Sequence, residues 1–230
     1  MEEKALEYLC RDTLLNIDMI ECLRRGLCKT VRAGEDGVLL TVDEGSCAML
    51  SCGGTEQGLA LVQEAEFEFL VIHQMQMKEA MCRKYSLKPG DECWQAAYLK
   101  TEPLKEQAYD IRRLDCRYTG IITRTYHSHD GEYIGWLTER GLMYGIFDRG
   151  ELAGFIGRHA EGSIGLLEVF PDYRRRGFGE ALERRYVNME LKEGHVPYGQ
   201  VFVGNEKSRK LQEKLGMAFA AGRVCWLWKA

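Results

Sequence analysis

The feature that most constrains the fold is an apolar strand that passes through a basic, glycine-containing turn into an amphipathic helix. Residues 166–182 read Leu-Leu-Glu-Val-Phe-Pro-Asp-Tyr-Arg-Arg-Arg-Gly-Phe-Gly-Glu-Ala-Leu. The proline at 171 cannot donate to a sheet, so the strand ends there. Glycine lets the backbone turn tightly, and the amides and dipole of a helix start favour an anion. Three arginines add charge-assisted bonds, so the segment predicts a cradle for phosphate groups.

This pattern differs from two well-known phosphate-binding loops. The dinucleotide fingerprint has a third glycine where Leu182 stands here. The P-loop needs Gly-Lys-Ser/Thr, which the segment lacks. From these residues alone, a solvated basic turn before a helix remains the alternative.

The size and charge of the chain narrow the class of protein. It has 230 residues, of which 45% are hydrophobic and 29% charged, as in globular proteins of one large or two small domains. The net charge is −4, which argues against a nucleic-acid-binding protein. The first 115 residues carry 14 Lys+Arg against 21 Asp+Glu, and the remainder carries 17 against 14. The second half is therefore the better place for an anionic ligand.

The cysteines and the start of the chain bear on its location. Nine cysteines occur without any Cys-x-x-Cys pair, and the first residues lack the pattern of a signal peptide. We therefore expect free thiols, a cytoplasmic location and no metal site. No apolar stretch is long enough to predict a membrane span.

The first half predicts a smaller α/β domain. Helical spacing runs from Leu6 to Ile20, and the helix is expected to end near Gly26. A charged segment with a proline, residues 100–109, precedes a new strand, so we predict domains at 1–109 and 110–230. Between the first helix and the charged segment, we predict extended segments at Val38–Val42, Cys47–Ser51 and Leu59–Val62, a strand at Phe67–His73, a helix at Met75–Tyr85 and a strand at Trp94–Leu99.

The second half alternates strands and helices in a way that predicts a mixed sheet with helices on its faces. Asn205 is a good helix N-cap, and Gly216 suits the left-handed C-cap of the same helix. The predicted strands are Asp110–Leu114, Leu142–Asp148, Leu152–His159, Ile164–Val169, Tyr198–Val203 and Val224–Trp228. The predicted helices are Arg117–Tyr126, Glu132–Arg140, Gly179–Glu193 and Asn205–Leu215.

Two motifs in this half resemble the GNAT N-acetyltransferase superfamily. The first, Val169-x-Pro-x-Tyr-Arg-x-x-Gly-x-Gly179, is similar to its coenzyme A motif, Gln/Arg-x-x-Gly-x-Gly/Ala. The second, residues 203–217, is similar to its later Asn-x-x-Ser/Ala helix, with Met217 in place of the usual Phe. The resemblance covers residues 110–230 and is strongest to the subgroup near the glycine N-acyltransferases. In that subgroup a degenerate copy of the fold comes first, which residues 1–109 would fit.

The resemblance implies the fold and the cofactor-binding residues. It implies the α/β GNAT-like acyl-CoA N-acyltransferase fold, a mixed sheet, with the smaller domain before it. The amides of residues 175–181 would hold a pyrophosphate, and backbone groups of the preceding strand would pair with the pantetheine arm. The residues implied are Leu167, Glu168, Val169, Arg174, Arg175, Arg176, Gly177, Phe178, Gly179, Glu180, Ala181, Asn205 and Ser208.

The resemblance assigns the cofactor-binding residues but does not assign the general acid and the general base. Many members use a general-acid Tyr where Gln212 stands here, so Tyr173, Tyr186 and Tyr198 are candidate substitutes. Some members place a base Glu near the position of Ser163, which cannot serve. Glu168 is the preferred base, and its alternative is a structural carboxylate. His127, in the run Tyr-His-Ser-His-Asp, is a second candidate base, because imidazole titrates near neutral pH.

The expected function is acyl-CoA-dependent N-acylation, with acetyl-CoA as co-substrate and a primary amine of a small molecule or amino acid as acceptor. The alternative is a catalytically silent acyl-CoA sensor or partner-binding module. Nucleic-acid and membrane partners are not expected. The protein is expected to be a monomer or a homodimer. The Met-rich helix with Met75, Met77 and Met81 is expected to lie in the core or at an interface. Trp226 and Trp228 are expected to pack in the core or at a sheet edge, with stacking against the acceptor as the alternative.

Overall fold

The computed structural model describes residues 1–42, 46–126 and 130–229. The chain divides into two compact units. Unit 1 comprises Met1–Ala97, Ala160–Gly162 and Tyr198–Ala230, and unit 2 comprises Tyr98–His159 and Ser163–Pro197. This division differs from the predicted boundary at residue 109, because strands after residue 197 pair with strands of the first half.

The helices and strands follow the chain in an alternating order. The helices are α1 (Glu2–Leu9), α2 (Ile17–Arg24), α3 (Thr55–Val62), α4 (Lys78–Tyr85), α5 (Thr119–Thr125), α6 (Gly131–Glu139), α7 (Phe178–Lys192) and α8 (Glu206–Leu215). The strands are β1 (Cys28–Gly34), β2 (Gly37–Val42), β3 (Cys47–Cys52), β4 (Phe69–Ile72), β5 (Leu87–Ala97), β6 (Asp110–Arg113), β7 (Met143–Asp148), β8 (Glu151–Arg158), β9 (Ile164–Val169), β10 (Tyr198–Phe202), β11 (Ala218–Phe219) and β12 (Val224–Lys229).

Unit 1 is built on a sheet of order β1-β2-β3-β4-β12-β5-β10, with β11 also paired to β5. Strands β3 and β4 run parallel, and the other neighbours are antiparallel. Helices α1 and α2 bury Leu9, Met19 and Ile20 against one face of this sheet. Helices α3 and α4 bury Val62 and Met81 against the other face. Apolar side chains thus fill both faces, which gives unit 1 a core of its own.

Three predictions in the first half were wrong in detail. Leu59–Val62, predicted as extended, lies in α3, because a short apolar run does not distinguish a strand from a buried helix. The predicted first helix is split into α1, a 3-10 turn and α2. The strand predicted at Trp94–Leu99 is β5, which begins at Leu87 and includes Pro89. A proline fits there because β10 pairs only with residues 93–97, so β5 has one neighbour at Pro89.

Unit 2 is built on an antiparallel sheet of order β6-β7-β8-β9. Met143 and Phe155 point to the face covered by α5 and α6, together with Ile122 and Ile134. Because successive strand residues face opposite sides, Tyr144 points to the other face, where its ring meets that of Tyr186 in α7. The sheet is therefore sandwiched between α5–α6 and α7.

The predicted fold class, a mixed α/β fold, is confirmed. The predicted strands and helices of the second half are present, with β11 in addition. They do not form one sheet, however. The last strand, β12, lies between β4 and β5 of the first half, and β10 pairs with β5.

Candidate active site in unit 2

The phosphate cradle predicted from residues 166–182 has a distinctive backbone. After β9, a 3-10 turn leads into the loop before α7. Arg175 and Gly177 have left-handed φ angles of 63° and 81°, a combination that turns successive amides toward one side. Gly177 is the N-cap of α7 and provides no side-chain cap. Within the described part of the chain, the amides of residues 175–179 make no hydrogen bond, so they can bind an anion.

The three arginines of the loop have different environments. Arg174 Nε donates to the Val169 carbonyl and its Nη2 donates to Glu168 Oε1, both at 2.9 Å. Arg176 Nη1 pairs with Asp148 Oδ2 at 2.9 Å, and this ion pair lowers the pKa of Asp148. Arg175 is exposed and forms no ion pair with any residue that the structure describes. It is therefore the cation of the loop that is available to a ligand.

Strand β9 carries a bulge next to the cradle. Phe155 pairs with Glu168 and Gly157 pairs with Gly165, so one residue of β8 faces two of β9. Leu166, in the bulge, has a φ of 52°. Strand β9 is the last strand of the unit 2 sheet. A bulge at a sheet edge redirects backbone groups, which suits the binding of an extended ligand.

Val169 presents its backbone to the outer edge of β9. The Phe170 amide donates to the Ala153 carbonyl of β8, and backbone groups alternate in direction along a strand. The amide and carbonyl of Val169 therefore point away from β8, and the carbonyl accepts the bond from Arg174. Among the described residues the Val169 amide has no partner, so it can donate to a ligand oxygen.

Glu168 and Tyr126 lie on one face of the unit 2 sheet. Glu168 is directly opposite Phe155, and the rings of Phe155 and Tyr126 meet edge to face with centroids 6.5 Å apart. Burial raises the pKa of the Tyr126 phenol, and the negative charge of Glu168 raises it further. A carboxylate and a phenol that stays protonated at neutral pH are thus close together. No local sequence pattern connects Tyr126 with Glu168, so Tyr126 was not among the predicted site residues.

The structure brings together most of the predicted cofactor-binding residues. One continuous segment of unit 2, residues 167–181, contains Leu167, Glu168, Val169 and residues 174–181. The amide of Ala181, which the resemblance assigned to the pyrophosphate, instead donates to the Gly177 carbonyl in the first turn of α7. Asn205 and Ser208 belong to unit 1, where Asn205 Oδ1 caps α8 by accepting from the Ser208 amide at 3.1 Å. His127 lies outside the described residues.

The candidate substitutes for the missing tyrosine acid are engaged elsewhere. Tyr186 donates to the Leu142 carbonyl at 2.9 Å and Tyr198 to the Glu161 carbonyl at 2.7 Å. Burial raises the pKa of both phenols. Tyr173 donates to Glu151 at 3.4 Å. Tyr126 packs on the sheet face that carries Glu168, as do Tyr118 and Tyr133, and the charge of Glu168 raises the pKa of the Tyr126 phenol.

The remaining features concern metals and membranes. Within residues 1–42, 46–126 and 130–229, no group of three or more His, Cys, Asp or Glu is arranged to hold a metal ion. None of the helices in this described part is long and apolar enough to cross a bilayer.

Comparison with known proteins supports the resemblance. Residues 141–227 match the family described as FR47-like protein, and no curated protein matches the sequence. A crystal structure of a Drosophila protein is 15% identical, covers 100% of this chain and 95% of its own, and superposes with a TM-score of 0.73. A GCN5-related N-acetyltransferase from Kribbella flavida is 11% identical, with coverage of 94% and 95% and a TM-score of 0.61. A GCN5-related N-acetyltransferase-like protein from Streptococcus suis is 15% identical, with coverage of 97% and 99% and a TM-score of 0.57.

These likenesses establish the class of the fold. At such low identities they show a shared fold, and it is the fold of GNAT N-acetyltransferases. The FR47-like match covers the strands β7 to β10 and the whole cradle. The GNAT-like fold that the two motifs implied is confirmed at the level of the fold.

Proposed function

We propose that this protein is an acyl-CoA-dependent N-acyltransferase, with acetyl-CoA as the donor and a primary amine of a small molecule or amino acid as the acceptor. The observation that carries the proposal is the set of unpaired amides at residues 175–179, beside the exposed cation of Arg175. The FR47-like match over this segment supports it.

The residues of the cradle fit the diphosphate of coenzyme A. Five consecutive amides, the dipole of α7 and Arg175 all favour a ligand with concentrated negative charge. Gly177 has a left-handed φ where the backbone turns, and because it is a glycine it places no side chain there. The outer edge of β9 at Leu167 and Val169 suits an extended arm with amide groups. When bound, acyl-CoA would supply the acyl group as a thioester and a thiol as leaving group.

The chain's own residues provide the groups that acyl transfer to an amine requires. An incoming ammonium must lose a proton, and we assign its acceptance to the Glu168 carboxylate. The Val169 amide points to the outer edge of β9 and can donate to an oxygen on which negative charge develops. The Tyr126 hydroxyl, kept protonated by burial and by Glu168, can donate a proton to the departing sulfur.

Turnover with a panel of amines tests the proposal. Purified protein is incubated with acetyl-CoA and single primary amines, and the free thiol released is measured. We expect at least one amine to raise thiol release far above the amine-free rate, and the acylated amine to be found by mass spectrometry. Thiol release that no amine stimulates would contradict an N-acyltransferase.

A catalytically silent acyl-CoA sensor is the second candidate. Two observations favour it: Gln212 replaces the usual tyrosine acid and is buried in α8, and Glu168 is held in an ion pair by Arg174. A sensor would bind acetyl-CoA without turnover by any amine.

A further inference from the structure

The end of strand β9 is bridged by a single arginine. The Arg174 guanidinium folds back from the loop and donates both to the Val169 carbonyl and to the Glu168 carboxylate. It is the arginine at the Gln/Arg position of the coenzyme A motif. The side chain that this motif places beside the cradle is thus engaged with the preferred catalytic base.

The contacts of Arg174 differ from those of its neighbours in a way that matters for the base. Arg175 has no ion-pair partner among the described residues, and Arg176 pairs with Asp148 on β7. Neither of them contacts Glu168, so Arg174 is the loop's connection between the anion cradle and the carboxylate. Its partners also include the carbonyl of Val169, whose amide is the proposed donor to the reacting oxygen.

The ion pair is weak enough to be displaced. The Arg174 and Glu168 side chains are 55% and 27% exposed. Exposed pairs contribute little to stability, because water screens the charges and two long side chains must be ordered. A diphosphate carries more negative charge than one carboxylate and accepts bidentate bonds from guanidinium. It can therefore compete for Arg174.

We propose that Arg174 is a latch that couples cofactor binding to the release of Glu168. Without acyl-CoA, the guanidinium holds the Glu168 carboxylate and the Val169 carbonyl. Binding of the diphosphate in the cradle draws Arg174 away, which frees Glu168 to accept the proton of the amine. The inference rests on the proposed function, since it assigns the cradle to coenzyme A.

A double-mutant cycle on the affinity for free coenzyme A tests the latch without measuring activity. The proteins are the wild type, E168Q, R174Q and E168Q/R174Q, each checked for folding by thermal unfolding. R174Q keeps a residue that the motif allows but removes the guanidinium. E151Q is the matched control, because it removes a carboxylate near the same loop whose contact there is the Tyr173 hydroxyl, not an arginine. Affinities are measured by calorimetry at one salt concentration.

Since Glu168 competes with coenzyme A for Arg174, E168Q should bind coenzyme A more tightly than the wild type, by about two- to fivefold, the value of an exposed ion pair. The same substitution should have no effect in the R174Q background, and E151Q should bind like the wild type. Equal tightening by E168Q with and without Arg174, or by E151Q, would overturn the latch in favour of a general charge effect. Unchanged or weaker binding by E168Q would overturn it as well.

The failure of the proposed function would look different. In that case none of the five proteins, including the folded wild type, would bind coenzyme A, and the latch would fall together with the cradle. Binding by the wild type with a wrong pattern among the variants overturns the latch alone.

Discussion

Glu168 in β9 lies directly opposite Phe155 in β8, and this pairing determines which face of the sheet carries the carboxylate. Residues that face each other across antiparallel strands project to the same side. Phe155 is buried against α5 and α6, so Glu168 also faces the side on which Tyr126 ends α5. The β9 bulge precedes Glu168 and sets this register.

Replacing the proposed base should reduce catalysis much more than binding. Glu168→Gln keeps the shape of the side chain but cannot accept a proton, so we expect kcat/KM for the amine to fall by about 10²–10⁴-fold. The measurement is the rate of thiol release from acetyl-CoA over a range of amine concentrations, which gives kcat/KM for the amine. Glu151→Gln, which removes the carboxylate at the start of β8, serves as the control and should keep full activity. Comparable losses in both variants would exclude a specific role for Glu168.

Removing the hydroxyl of Tyr126 should slow the reaction without disturbing the fold. Phenylalanine keeps the edge-to-face contact with Phe155, so we expect Tyr126→Phe to fold, which thermal unfolding checks. We expect kcat to fall by about 10²-fold, as for loss of a general acid. Tyr118→Phe is the matched control, because its ring makes a similar contact with Phe147. Full activity of Tyr126→Phe would show that another group protonates the sulfur.

Two glycines of the cradle should respond differently to alanine. Gly177 has a φ of 81°, so Gly177→Ala imposes a left-handed alanine, which costs about 1–2 kcal/mol and turns the neighbouring amides. A methyl group on Gly179 would make ordinary contacts with Val169 and Leu167, at 3.6 and 3.9 Å. We expect Gly177→Ala to weaken coenzyme A binding by about tenfold and Gly179→Ala to leave it nearly unchanged. Calorimetry decides this, and equal effects of the two variants would contradict the assignment.

A buried ion pair in unit 1 should make stability depend on pH. His73 Nε2 lies 2.8 Å from Asp18 Oδ1, and His73 Nδ1 lies 3.0 Å from the Leu50 carbonyl, which can only accept. Burial by itself lowers the pKa of His73, but the charge and hydrogen bond of Asp18 and the Leu50 carbonyl outweigh it, so the pKa is raised. The stabilisation is therefore complete below about pH 6.5, the pKa in the unfolded chain, and is lost as the pH rises through the folded-state pKa.

The test compares urea unfolding of the wild type and Asp18→Asn from about pH 5 to about pH 9. Removing one charged partner of a buried ion pair costs about 3–5 kcal/mol. The free energy of unfolding of Asp18→Asn should therefore be markedly lower than that of the wild type at low pH. The difference between the two proteins should shrink as the pH rises. A difference that stays constant over this range would mean that His73 does not titrate there.

The cradle could be predicted from the sequence because its parts are contiguous. The proline that ends the strand, the arginines and the glycines act through local backbone geometry, and residues 166–182 fold as expected. Tyr126 could not be predicted, because its proximity to Glu168 depends on how α5 packs on the sheet. The same holds for Asp18 and His73, which come together from α2 and the end of β4. Contacts of this kind are set by tertiary packing, not by local pattern.

Strand partners were the other part that the sequence did not predict. Val224 and the alternating tryptophans at 226 and 228 predict that Val224–Trp228 is a strand, but not that it lies between β4 and β5. The hypothesis that residues 1–109 are a degenerate copy of the same fold stays a prediction. The order β3-α3-β4-α4-β5 in the first half, with β3 and β4 parallel, is consistent with it.

The central claim is that residues 174–179 bind the diphosphate of coenzyme A. Calorimetric titration of the wild-type protein with coenzyme A, and separately with pantetheine, which lacks the nucleotide diphosphate, tests this claim most directly. We predict saturable micromolar binding of coenzyme A and acetyl-CoA, and binding of pantetheine that is weaker by at least about tenfold. Equal affinity for pantetheine, or no binding of coenzyme A to the folded protein, would contradict the account.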